Sequence, residues 1–337
     1  MKIIAFGEVL MRLSPPGHTR FGQATSFDLF FAGAEYNTSI SLSRMGMPVG
    51  FVTRLPDNDL GMAAIEQLNR YSVDTKNIVS GGHRMGIYFL EQGAIARGSK
   101  VIYDREHSSL ADIAPGSLNW KSILKDSSWF HCTGITPALS KAAAEETLIA
   151  VKSAFEAGLT VSIDLNFRSK LWQYGCKPSE IMPEIFKYCH VVLGDKDTVH
   201  TYFNIAAEKT EAEASYLEVM TKLKEAFPQL TDIIFSYRNI ISANHNAIGA
   251  YYLKNNKIIK SKEFDLDGIV DRLGGGDAMM AGIIYGITYF SSDAQKSINF
   301  ALAAAALKST IPGDTNFVSA QEVLSMLSGN TTGRINR

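Results

Sequence analysis

Short apolar runs recur along the chain at Lys2–Phe6, Ser128–Cys132, Thr160–Leu165, His190–Leu193 and Asp232–Ser236. Each is four to six residues long and rich in Ile, Val or Phe, as expected for strands buried on both faces. Helical spacing fills the intervals at Ala34–Arg44, Gly61–Tyr71, Lys141–Ala157, Ala212–Ala226 and Asp277–Tyr289. This alternation predicts an α/β fold: a mostly parallel central sheet with helices on both faces. Ligands of such sheets bind at the carboxyl ends of the strands, so chemistry is expected just after each apolar run. Two regions break the pattern. Residues 11–31 carry Pro15, Pro16 and Gly17 and then an aromatic cluster, and in 85–106 two strand-like runs flank the turn EQGAIARGSK. Both are predicted to be antiparallel strands of a small lid over the sheet's carboxyl edge. No linker divides the chain, which predicts one domain over 1–325 and a polar, frayed tail over 328–337.

Composition narrows the function. The 337 residues are 46% hydrophobic and 20% charged, with a net charge of −1. That suits a globular enzyme and offers no cationic excess for a nucleic-acid backbone or an anionic membrane. The opening MKIIAFGEVL lacks the basic flank and cleavage site of a signal peptide, and the Ala-rich Asn299–Leu307 falls far short of the ~20 residues of a membrane span. Cys132, Cys176 and Cys189 are odd in number and widely spaced, which fits neither a zinc site nor a disulfide framework and predicts a reducing, cytoplasmic setting.

The strongest local signal is DRLGGGDAMMAG, Asp271–Gly282. Glycines let backbone N–H groups approach a ligand, and a helix starting there aims unpaired N–H groups and its positive dipole end at an anion. A carboxylate beside them, Asp277, is placed to take a proton from an attacking hydroxyl; the alternative is an ordinary helix N-cap. In VSIDLNFR, Val161–Arg168, strand alternation puts Asp164, Asn166 and Arg168 on one face. In the lid, Tyr103 and Arg105 lie two apart, opposite Tyr88. Arginine matches a carboxylate with two parallel hydrogen bonds, so this surface suits a hydroxylated anion; the alternative is an exposed strand end and lid edge.

The glycine turn resembles the C-terminal signature of the PfkB/ribokinase-like carbohydrate kinases. Gly274, Gly275, Gly276, Asp277, Ala281 and Gly282 fit it, while Arg272 stands where most members have a small residue or Thr. The family's N-terminal signature is recognisable in AGAEYNTSISLSRMG, Ala32–Gly46, through Gly33 and Asn37, with Ala32 displacing the usual second glycine. The resemblance covers nearly the whole chain. It implies the ribokinase-like fold, ATP with Mg²⁺ as cofactors, and phosphoryl transfer to a sugar hydroxyl, with Asp277 as general base and the Gly274–Gly276 N–H groups as anion hole. No G-x-x-x-x-G-K-[ST] loop is present, so a Walker-type kinase is not expected.

GEVLMRLSPPG, GAEYN, Tyr88, the Tyr-x-Arg pair and DLNFR further resemble the 2-keto-3-deoxygluconate kinases of the family, which phosphorylate a six-carbon sugar acid at its 6-hydroxyl. That resemblance implies Arg105 and Arg168 at the acid end, Tyr88 and Tyr103 along the sugar, Gly33, Ala34 and Asn37 at its hydroxyls, and Asp314 on the substrate side. On the nucleotide side it implies Asn166, Ser236, Arg238 and Gly249 with the glycine turn. The polar run Phe235–Ala250 reads as a loop there, with His245 on its surface; Ala303, Ala306 and Leu307 are candidates for the adenine pocket or a packed helix. The family's acidic Mg²⁺ element is not intact in LGDKDTVH, which holds Asp195 and Asp197, so no metal ligand is assigned. A kinase for a neutral sugar such as fructose or ribose, and an inactive sugar- or nucleotide-binding module, stay open as alternatives. The lid's edges make a homodimer through the lid a further expectation.

Overall fold

The computed structural model describes residues 1–329; residues 330–337, most of the expected tail, lie outside the described residues. A nine-stranded sheet runs, from one edge, through Lys257–Lys260, His245–Lys254, Asp232–Ser242, Val191–Gly194, Thr160–Asp164, Trp129–Thr133, Ile3–Phe6 and Val49–Val52, with Phe264–Asp267 also pairing on His245–Lys254. The pairs from Asp232–Ser242 to Val49–Val52 are parallel. Those toward the other edge are antiparallel.

Strand alternation divides the core into two layers. Ile4, Phe6, Phe130, Val161 and Ile163 pack against helices Lys141–Glu156, Pro178–Phe186 and Ala212–Ala226. Their neighbours Ile3, Ala5, Val191 and Leu193 face Ala34–Arg44, Gly275–Tyr289 and Ala294–Lys308 on the other side. No helix among the described residues is long and apolar enough to cross a membrane.

The lid is a separate four-stranded sheet in the order Asp28–Ala32, Leu10–Ser14, Gly86–Glu91, Lys100–Asp104. Its outer pairs are antiparallel as expected, but the central pair, Leu10–Ser14 on Gly86–Glu91, is parallel. The two lid hairpins therefore join through a long excursion over the main sheet, which the local turn signals do not reveal.

Two further expectations are corrected. The strand expected to carry Asn166 and Arg168 stops at Asp164, because Asn166 turns into the left-handed region (φ 39°). The run read as a polar loop is instead a long hairpin, Asp232–Ser242 on His245–Lys254. His245 begins its second strand, with its ring 2.7 Å from Asp265. Ala303 and Ala306 are buried in packing between helices and sheet, while Leu302 and Ala305 of the same helix reach the cleft.

Candidate active site

Along the carboxyl ends of the parallel strands, beneath the lid, lies a cleft of about 560 Å³. That volume suits a small-molecule site. The cleft is built around the glycine turn. Asp271 shapes its entry, with Oδ1 accepting the Leu273 N–H (3.1 Å) and Oδ2 the Gly313 N–H (3.1 Å). Gly274 then adopts φ 77° and packs on the backbone of Asp314, where a Cβ would overlap the carbonyl oxygen. Helix Gly275–Tyr289 starts immediately afterwards. Its small residues let it lie close to Ala294–Lys308; a Cβ at Gly282 would press on the Ala301 Cα.

Gly274 is the N-cap, so Asp277 is not an ordinary cap but the third residue of the helix, in its first turn at the mouth. It lines the cleft with only 9% of its surface exposed. Asn37 Nδ2 donates to its Oδ2 at 2.7 Å. Burial holds the Asp277 carboxyl well above the usual carboxylate range; the Asn37 bond pulls it back, Asp164 and Asp314 push it up, and Arg168 favours its charged form. A carboxyl group thus stands beside the first N–H groups of a helix, which lack partners within it.

All the substrate-side residues named from the sequence line this cleft: Gly33, Ala34 and Asn37 at the sheet edge, Tyr88, Tyr103 and Arg105 from the lid, and Arg168 and Asp314. Their free valences differ from expectation. Asp314 has both oxygens engaged, one by Arg12 Nη1 (2.6 Å) and the other by the Tyr88 hydroxyl. Arg105 follows its strand's end and gives Nη2 to Glu8, whose second oxygen accepts from Ser108 Oγ. Arg105 Nε is buried without a partner. Arg12 and Glu8 are the residues that sequence reasoning missed. Their signal was a charge inside an otherwise apolar stretch, FGEVLMRL.

On the opposite side, Ser236, Arg238 and Gly249 come from the long hairpin, and Asn166 from the turn after Thr160–Asp164. Arg272 joins them in the lining, and Arg168 reaches toward Arg238 from the substrate side. No carboxylate among the described residues stands within ion-pair distance of Arg168, Arg238 or Arg272. Arg238 is solvent-exposed on its strand, yet the protein crowded around it, and then the charges of Arg272 and Arg168, make its guanidinium less basic.

Two carboxylates face this side. Asp195 is consumed as a helix cap, accepting from Thr198 N (2.9 Å) and Oγ1 (2.7 Å). Asp197 lies outside the lining. Asp164 accepts the Asn166 N–H through Oδ1 (3.2 Å), while its Oδ2 looks across at Gly276. Burial pushes Asp164 up to about 7. The described residues hold no cluster of three or more His, Cys, Asp or Glu that would cage a metal. The Asp164 carboxylate, in the cleft lining beside the glycine turn, fits a hydrated cation, which suits Mg²⁺ carried largely by phosphate and water.

A model of the pfkB family of carbohydrate kinases matches residues 1–321. The chain is 30% identical over 335 residues to a 2-dehydro-3-deoxygalactonokinase of Haloferax volcanii, covering 98% of each. Its structure resembles a 2-dehydro-3-deoxygluconokinase from Thermotoga maritima with a TM-score of 0.92 and 37% identity, covering 98% of this chain and 100% of that one. At 20% identity, and so as a likeness of fold alone, it also resembles a Xylella fastidiosa fructokinase with bound ATP (TM-score 0.79; 98% and 99% covered).

Proposed function

We infer, for a chain that belongs to the pfkB family of carbohydrate kinases, that its reaction is the ATP-dependent phosphorylation of 2-keto-3-deoxygluconate at the 6-hydroxyl. One observation carries this reading: a buried carboxylate, Asp277, is hydrogen-bonded to Asn37 at the mouth of a helix, between a lid of tyrosines and a group of unpaired arginines. The acid end of the sugar is drawn to Arg168 and to the unpartnered Nε of Arg105. The names of the two relatives above support a keto-deoxy sugar acid over a neutral sugar.

In the transfer, the substrate's 6-oxygen bonds to the γ-phosphorus while the bond from that phosphorus to the β-phosphate oxygen breaks, and ADP leaves. The hydroxyl proton passes to Asp277. Asn37 holds the accepting carboxylate in place, and Arg168 favours its ionised form. Backbone N–H groups of Gly274–Gly276 meet the charge on the moving phosphoryl group. Ser236, Arg238, Gly249 and Asn166 flank the nucleotide. Asp164 would hold Mg²⁺, which would neutralise phosphate charge when bound.

The same proposal takes residues 1–325 as one kinase domain and the lid's outer face as a contact between two copies. Leu29, Leu13, Phe89 and Ile102 lie in register across its four strands, with Leu29 and Ile102 46% and 53% exposed.

An ADP-release assay over 2-keto-3-deoxygluconate, its galactonate epimer, gluconate, fructose and ribose tests the substrate. Preference for fructose or ribose would overturn the acid assignment. Asp277→Asn is expected to bind ATP normally and lose turnover by a factor of ~10² or more. Turnover like the wild type's would remove Asp277 from the base role.

A further inference from the structure

The lid does not merely cover the cleft; it is bonded to the turn that forms the anion hole. Arg12, on lid strand Leu10–Ser14, is buried at 2% exposure. Its Nη1 lies 2.7 Å from Asp271 Oδ2 and 2.6 Å from Asp314 Oδ1. Its Nε donates to Ser14 Oγ at 2.8 Å, and its guanidinium stands 5.1 Å from the Phe30 ring centre, which fixes it from the neighbouring lid strand.

Each carboxylate that Arg12 grips shapes the phosphate end. Asp271 holds the N–H groups of Leu273 and Gly313, the residues leading into Gly274 and Asp314. Gly274 in turn rests on the Asp314 backbone. The Tyr88 hydroxyl, from the next lid strand, closes the circuit on Asp314. Lys308 Nζ, fully buried, donates to the carbonyls of Asp271 (3.3 Å) and Ile311 (3.1 Å) and locks the same two loops from below. Two cations and two carboxylates balance inside this network, so it is neutral and rigid when intact.

We propose that Arg12 is a positioning residue that couples the lid to the anion hole, so that a sugar seated under the lid and the terminal phosphate of the nucleotide strengthen each other's binding. This rests on the kinase reading above. A sugar that fixes Tyr88 and Tyr103 fixes the strand pairing of the lid, and through Arg12 it fixes Asp271, Asp314 and the Gly274 turn between them. Arginine is required because one guanidinium must face two carboxylates and Ser14 at once. Lysine keeps the charge but offers a single point of contact.

The test compares the wild type with Arg12→Lys by calorimetry. The Mg²⁺ complex of a non-hydrolysable ATP analogue, and MgADP, are each titrated with and without a sugar that the wild type phosphorylates. If the wild type turns over a neutral sugar and not the sugar acid, the substrate assignment fails while the coupling test proceeds with that sugar. The wild type is expected to bind the triphosphate analogue ~5-fold or more tightly when sugar is present. Arg12→Lys is expected to bring that factor within about twofold of unity and to lower kcat ~10-fold or more, with MgADP affinity unchanged. The proposal is overturned by a wild type with no sugar–nucleotide coupling. It is equally overturned by an Arg12→Lys protein with wild-type coupling and kcat, or by one that loses MgADP and analogue affinity alike. If Arg12→Lys does not fold, Ser14→Ala is measured instead; it frees Arg12 Nε alone, and a coupling factor reduced at least threefold is expected. Coupling intact in Ser14→Ala would then overturn the proposal.

Discussion

The two ends of the cleft hold their arginines in opposite ways. At the lid end Arg12 and Arg105 are buried and neutralised, Arg12 by Asp271 and Asp314 and Arg105 by Glu8. At the hairpin end Arg238 and Arg272, with Arg168 reaching toward them from the substrate side, line the cleft with no described carboxylate in ion-pair reach. Such pairing spends most of a guanidinium's hydrogen bonds on the fold, with Arg105 Nε left over. Unpaired guanidiniums repel one another and gain most when an anion arrives between them. Paired charge therefore marks architecture, and unpaired charge marks a place kept for a ligand.

The contrast is broken most forcefully at Arg12. Arg12→Met strands two buried carboxylates and should lower unfolding free energy by ~3–5 kcal/mol, read from urea or thermal melts. A stability change under ~1 kcal/mol would show that the lid-end pairing is not structural. Asp164→Asn sharpens the other end through pH. The folded Asp164 binds its proton up to about 7, well above the ordinary aspartate value, so ionising it opposes folding. Wild-type stability should fall as pH rises from about 4 to about 7, and Asp164→Asn should flatten that slope in thermal melts taken across the range. An unchanged slope would mean that the carboxylate is not buried as described. Arg272→Ala should show the smallest change in free energy and the opposite pattern from Arg12: stability within ~0.5 kcal/mol of wild type, but kcat/KM for ATP down ~10-fold or more. Loss of stability with intact ATP kinetics would erase the distinction between the two ends.

The parts of the molecule legible in the sequence were those with local causes. Helices Ala34–Arg44 and Ala212–Ala226 have the limits that periodicity predicts, and the parallel strands follow their apolar runs within a residue or two. The glycine turn announced itself because only glycine fits φ 77° against the Asp314 backbone. What stayed hidden depended on partners far away in the chain. The hairpin Asp232–Ser242/His245–Lys254 looked like a loop because its outer half carries polar, exposed residues such as Arg238 and Asn239. Asn166 ended a strand that alternation alone would have continued. Arg105 could be placed in the lid, but not the Glu8 that takes its Nη2 and leaves only Nε unpartnered, and Arg12 meets Asp314 across a separation of 302 positions. Patterns of residue type locate a charge; they do not say whether another charge has already claimed it.

The bare backbone at Gly274 sets a boundary for anyone redesigning this enzyme. A methyl group there would collide with a main-chain carbonyl, not with a side chain able to rotate away. A mutational library aimed at new acceptors or donors should therefore leave 274 fixed and vary the walls instead. Arg272 is a natural starting point, since it lines the cleft with no described carboxylate in ion-pair reach.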